Sequence, residues 1–184
     1  MRTVVAGLVL AWCVLPAAAE QVEVTGAFGY EFGQRVETAE LKPLGLEEKG
    51  GVRYGFIPAN PYAPLTDYEL GLTPHSLRVF RITARGTFSS MERCREELVR
   101  LEQALERKYV KTSGRIASKF GERPEIAFGR SARKIHGVCT GAVLRKTLTL
   151  TYVDEDLQQA AREEAGPAGG DAGAGDPGRD ESGL

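Results

Sequence analysis

Ser89–Lys111, SSMERCREELVRLEQALERKYVK, is the stretch on which the fold turns. Met91, Cys94, Leu98, Leu101 and Leu105 recur at spacings of 3, 4, 3 and 4, which draws one apolar stripe down a helix. Ser89 followed by Glu92 reads as a capping box that starts the helix abruptly. Glu96 and Arg100 lie one turn apart on the outer side. Arg107, Lys108 and Lys111 crowd the end where the helix dipole favours cations, and Gly114 is expected to stop it. The stripe needs an apolar surface to cover, and the flanking sequence supplies one.

Immediately before the helix, Leu77–Phe88 alternates, with Phe80, Ile82, Ala84 and Phe88 on one side and Arg81, Thr83, Arg85 and Thr87 on the other. That is an antiparallel strand with one face in a core and one in water. Further out, Ala142–Val153 places Leu144, Leu148, Leu150 and Tyr152 inward, with Thr147, Thr149 and Thr151 outward. Ile126–Phe128 and Arg133–Cys139 read as extended segments broken at Gly129. On the other side, Ala27–Phe32, Val52–Phe56 and Tyr68–Leu72 alternate in the same way. Residues 34–50 are polar, carry Pro43 and Gly45, and read as loop or a short helical turn. Pro58, Pro61 and Pro64 stiffen the chain around Tyr62, which the loop is expected to use as an anchor to the core. Asp154 caps a short helix over DEDLQQAAREEA, ended by Gly166-Pro167. The expected fold is α+β in two layers: about six mainly antiparallel strands covered by one long helix, plus a short C-terminal helix.

The chain has 184 residues, enough for one domain. Its first 19 residues read as a signal peptide: Arg2 is the positive region, Val4–Leu15 the apolar run, and Ala17-Ala18-Ala19 the cleavage signal before Glu20. Trp12 before Cys13 argues against lipidation there. The domain is expected over 20–165. The final stretch 166–184, GPAGGDAGAGDPGRDESGL, carries no apolar side chain above alanine except Leu184 and is expected to be disordered. The exported chain is therefore expected in the periplasm or outside the cell, without a membrane span.

Cleavage removes Cys13 and leaves Cys94 and Cys139, an even pair in an oxidising compartment, which favours a disulfide. His136 three residues before Cys139, with Cys94, offers three ligand types that zinc accepts, but a closed site takes about four and oxidation already accounts for the cysteines. No serine sits in a G-x-S-x-G setting, and the pairs Glu47-Glu48 and Glu96-Glu97 diverge on any regular element. No catalytic residue, cofactor or metal is assigned.

Near-neutral overall charge conceals a strong division. Residues 20–77 carry 4 basic and 9 acidic side chains, net −5, while residues 78–146 carry 17 and 7, net +10. Residues 147–165 are net −4. Either these blocks neutralise one another in the fold, or the basic one forms a face for an anionic partner, with Arg81, Arg85, Arg133, Lys134, Arg145 and Lys146 as candidates. Nucleic acid is not expected, since no motif interleaves basic and stacking aromatic residues.

Several short features occur together: Phe28-Gly29 and Phe32-Gly33, the prolines 58, 61 and 64 leading to Tyr68, Ile82 and Ala84 on a strand, a cysteine-bearing helix ending Lys108-Tyr109, then Cys139, then Leu148, Leu150 and Tyr152. In these the chain resembles small uncharacterised exported proteins of bacteria over residues 26 to 157. The resemblance implies export and an α+β fold and supplies no catalytic residue. Two partner classes follow as expectations. One is an envelope protein held at an exposed apolar patch around Tyr62 and Phe56; the other is an anionic envelope polymer or lipid headgroup held by the basic block.

Overall fold

The structure, a computed structural model, describes residues 22–46, 50–115, 123–141 and 145–166. Over these residues it is α+β, with two helices and an eight-stranded antiparallel sheet. A small hairpin comes first, β1 (Gly26–Ala27) and β2 (Tyr30–Glu31). Four strands then form a meander: β3 (Lys42–Leu46), β4 (Val52–Gly55), β5 (Asp67–Leu72) and β6 (Val79–Phe88). Helix α1 (Met91–Glu106) leads to a second meander, β7 (Lys111–Arg115), β8 (Glu125–Arg130), β9 (Arg133–Thr140) and β10 (Lys146–Asp154). Helix α2 (Glu155–Ala165) follows. The sheet order is β3-β4-β5-β6-β10-β9-β8-β7, so the two meanders meet along β6 and β10, and β3 and β7 are its two edges.

Cross-strand register shows how the alternation becomes a core. Leu148, Leu150 and Tyr152 stand opposite Cys139, Gly137 and Ile135 on one side and Gly86, Ala84 and Ile82 on the other. These residues form one buried face with Tyr68, Leu70, Ile126 and Phe128. Helix α1 packs on β8, β9, β10 and β6, and its Cys94, Leu98, Leu101 and Leu105 are buried as the stripe requires. Gly137 makes room for it: a Cβ there would lie 3.1 Å from Leu98 Cδ1. The Pro58–Pro64 loop crosses at Gly86, where a Cβ would fall 2.0 Å from the Pro64 carbonyl oxygen. Val24, Phe28, Phe32 and Val36 of the N-terminal segment complete the cover. Gly33 and Gln34 exchange backbone hydrogen bonds with Val79.

Cys94 and Cys139 are joined by a disulfide, with Cα atoms 6.1 Å apart and neither residue exposed. It fastens α1 to β9 across 45 residues, worth about 4 kcal/mol in the chain-entropy account.

Five expectations are corrected. The sheet has eight strands instead of six. β3 lies in the stretch read as loop and β7 where the helix was carried on to Gly114. Pairing with β4 and β8 supplies the hydrogen bonds that local pattern did not announce. Helix α1 is capped by Ser90, whose hydroxyl accepts from the Arg93 N–H (3.2 Å), one residue later than expected. Ala27–Phe32 is a tight hairpin, because Phe28 and Gly29 both take positive φ (53° and 92°), the pairing that a two-residue turn demands. The break between β8 and β9 falls at Ser131-Ala132, after Gly129.

A sixth difference concerns Phe80. It is buried but lies outside the continuous cluster that holds Ile82 and Ala84, because the register slips between Gly71 and Leu72 and leaves Phe80 without a partner on β5. The proposed leader 1–19, Leu144, Glu47-Glu48 and the tail beyond Gly166 lie outside the described residues. Among the described residues no helix is long and apolar enough to cross a membrane.

Candidate binding site

The proline loop does not display Tyr62. It uses it as a bolt. The Tyr62 hydroxyl donates to Glu97 of α1, whose other carboxylate oxygen accepts from Arg100 at 3.1 Å. The Tyr62 backbone N–H donates to the Tyr68 hydroxyl (2.9 Å), and that hydroxyl donates onward to the Leu65 carbonyl (2.9 Å). Burial and the neighbouring Glu97 carboxylate push the Tyr62 phenol up to about 12, so it stays a donor through the neutral range. Glu97 is itself buried, and the phenol and guanidinium are what make its burial tolerable.

This anchoring fixes the chain just upstream. Phe56 is buried and its N–H donates to the Tyr68 carbonyl (3.1 Å), and Pro58 is buried as well. Between them Ile57 is 93% exposed. An apolar, β-branched side chain held out between two pinned neighbours has little conformational freedom left to lose on contact. The patch expected around Tyr62 and Phe56 is therefore centred on Ile57, with Tyr62 and Phe56 as its support. The sequence carried a signal for this: Val52, Tyr54 and Phe56 point inward by alternation, which puts Ile57 out of phase beside a proline.

Ile57 stands at the mouth of a cleft of about 490 Å³. Tyr30, Phe56 and Tyr68 form its aromatic floor, with Tyr30 edge-on to Phe56 at 4.9 Å between ring centroids. Leu41 and Leu44 line it from the β3 side, and the exposed Glu40, Lys42 and Asp67 rim it. The β1–β2 hairpin, β3 and the facing ends of β4 and β5 build this corner, which no single stretch of sequence announces. A second cavity, of about 340 Å³, lies where Val22–Val24 pass the β8–β9 turn.

The six basic candidates are divided by the sheet. Register puts Arg81, Arg85 and Lys134 on the side away from Cys139, and Arg133 and Lys146 on the Cys139 side. Arg85 binds Glu69 through both guanidinium nitrogens and reaches Asp67 at 3.3 Å. Arg133 pairs with Asp154 (2.8 Å) and Glu23 (3.5 Å) and lies over the Phe32 ring. Lys134 pairs with Glu155 at 2.6 Å. Arg81 lies over Phe80, and Arg145 is exposed. The acids come from the two flanking acidic blocks, so much of the charge division closes on itself.

The remaining chemistry-bearing residues are structural in their contacts. Ser76 donates its hydroxyl to Glu164 of α2 (2.6 Å), and the His75 and Ser76 N–H groups donate to the same carboxylate. Burial acts to raise Glu164, but these hydrogen bonds outweigh it and hold the carboxyl below its usual range. His136 lies 3.7 Å from Glu125. Among the described residues no three of His, Cys, Asp and Glu are grouped so as to hold a metal ion. Compared with known proteins, the chain matches no family model, no curated protein and no solved structure.

Proposed function

We propose that this protein is an exported, non-enzymatic binding or adaptor module of the bacterial envelope that holds a protein partner at the corner formed by Ile57 and the adjoining cleft. The observation that carries the reading is Ile57 itself, 93% exposed between two buried residues. Rigid apolar side chains beside a pocket are the kind of feature on which interface energy concentrates. The disulfide is compatible with an oxidising location and supports export. An anionic polymer or lipid headgroup held by the basic block is less well supported, because Arg85, Arg133 and Lys134 already carry intramolecular carboxylate partners.

A photo-reactive residue placed at Ile57 tests the reading in the native envelope, with the same residue at Thr149 as control. A defined protein adduct from position 57 and none from 149 is the expected outcome. Capture of abundant bystanders only, or the same capture from both positions, would remove the adaptor reading. Capture that depends on low salt and survives Ile57→Asp would move the function to the basic block.

A further inference from the structure

We infer that the partner is an extended polypeptide segment that adds to the outer edge of β3 as a ninth strand; this rests on the corner being the binding site. β3 is the outermost strand of the sheet, with no neighbour beyond it among the described residues. An edge strand leaves a row of N–H and C=O groups able to pair with another chain, which is the basis of recognition by strand addition.

Among the described residues three large hydrophobic side chains are exposed, and two of them lie at this corner of the sheet, Leu46 on β3 itself and Ile57 just past the end of β4. Leu46, 80% exposed, is opposite Val52 at one end, and Ile57 projects beyond Gly55 at the other, where Lys42 pairs. From Val52 to Ile57 is five residues, roughly 16 Å of strand. A small molecule in the cleft meets Ile57 but not Leu46; an extended segment of six or more residues meets both.

Charge specifies the segment further. Glu40 and Lys42 are exposed at the cleft rim and make no ion pair among the described residues. Lys42 opens β3 and Glu40 lies in the turn just before it, so the complementary partner carries an acidic residue opposite Lys42 and a basic residue near Glu40, past the end of the paired strand. Pro43 lacks an N–H, and the register slips between Pro43 and Gly45, so the edge resists long pairing and suits a short segment.

Selection of linear 12-residue peptides from a phage-displayed library on the immobilised full chain tests this directly. Enriched peptides are expected to carry apolar residues five or six positions apart with an acidic and a basic residue near one of them. Binding of a selected peptide should fall at least tenfold with Ile57→Asp and with Leu46→Asp, both variants keeping the parent melting temperature. The peptide should also slow amide exchange in β3 at least tenfold. If Ile57→Asp abolishes binding while Leu46→Asp and β3 exchange show no effect, strand addition is wrong and the corner site stands. If neither substitution matters, or no sequence enriches over the naive library, both fall. A dimer in sedimentation that Leu46→Asp dissociates would assign the edge to a second copy instead.

Discussion

The two edges of the sheet are strands of five residues each with opposite characters. β7 starts at Lys111, whose ammonium bridges to Glu102 (2.6 Å) and Glu106 (2.9 Å) of α1, so the start of that edge is tied to the helix by charge. β3 has Leu46 exposed at one end, Ile57 past the other, and at the rim Glu40 and Lys42 make no ion pair among the described residues. The two meanders repeat the same strand plan, four strands and then a helix, yet α1 crosses over and serves the second one. The first is held instead by a hairpin, a proline loop and a tyrosine bolt. One edge is tied to the fold's own helix by charge, whereas the other keeps exposed apolar surface, which we propose serves a partner.

The disulfide is the sharpest divider of the two halves. Replacing Cys94 and Cys139 together by alanine should lower unfolding free energy by about 4 kcal/mol in denaturant titration. Amide exchange should accelerate first in β8–β9, beneath α1, while β4–β5 stay protected; equal acceleration in both halves would erase the difference between them.

Tyr62→Phe attacks the other half. It leaves buried Glu97 without its phenol donor, and a loss of about 2 kcal/mol is expected, the size of a hydrogen bond to a charged group. The pH dependence has a definite sign. The folded-state phenol is raised from 10.0 to about 12, so its contribution is complete below pH 10 and is lost as pH climbs through about 12. Parent and variant should therefore converge in stability over that alkaline window, and a constant gap across it would show that Tyr62 acts by packing alone.

Arg85→Ala should cost about 1 kcal/mol in thermal or chemical unfolding, since among the described residues it leaves Glu69 with only the longer contact to Arg53 at 3.9 Å. Its effect on partner capture at position 57 should be nil; a loss of capture would bring the basic block back into the function. Smallest of all, Leu46→Ser should change stability by no more than about 0.5 kcal/mol, as befits an exposed side chain, while reducing peptide binding. Stabilisation or loss beyond that range would mean that the β3 edge is structural, like β7.

Much of the covered face was legible in advance because its information is local. Period-two alternation in β5, β6 and β10 and the apolar stripe of α1 each follow from the geometry of one element. The Asp154 cap works the same way, accepting from the Leu157 N–H at 3.0 Å. The cysteine pair was legible for a chemical reason: with the expected leader removed, an even pair of thiols is left, which an oxidising compartment would join. The candidate site was not. Its parts come from residues 30, 40–42, 44, 55–57 and 66–68, and the sequence pointed only to its neighbourhood, through the patch expected around Tyr62 and Phe56 and through Ile57, apolar and out of phase before a proline.

What the amino-acid order determines alone, then, is which segments alternate, which one is a helix, where the helices are capped and which thiols are available to pair. Tertiary structure decides the rest. KPLGL and KTSGR are strands because a neighbouring edge offers hydrogen bonds, not because either has a strand's pattern. Phe80 leaves the main core because one residue of register is lost opposite Gly71. Arg85, Arg133 and Lys134 are neutralised because folding brings acids from both flanking blocks beside them. Side-chain period and caps are set by backbone geometry within a few residues, while partners for edges and charges come from residues distant in the chain, and only the folded arrangement brings them together.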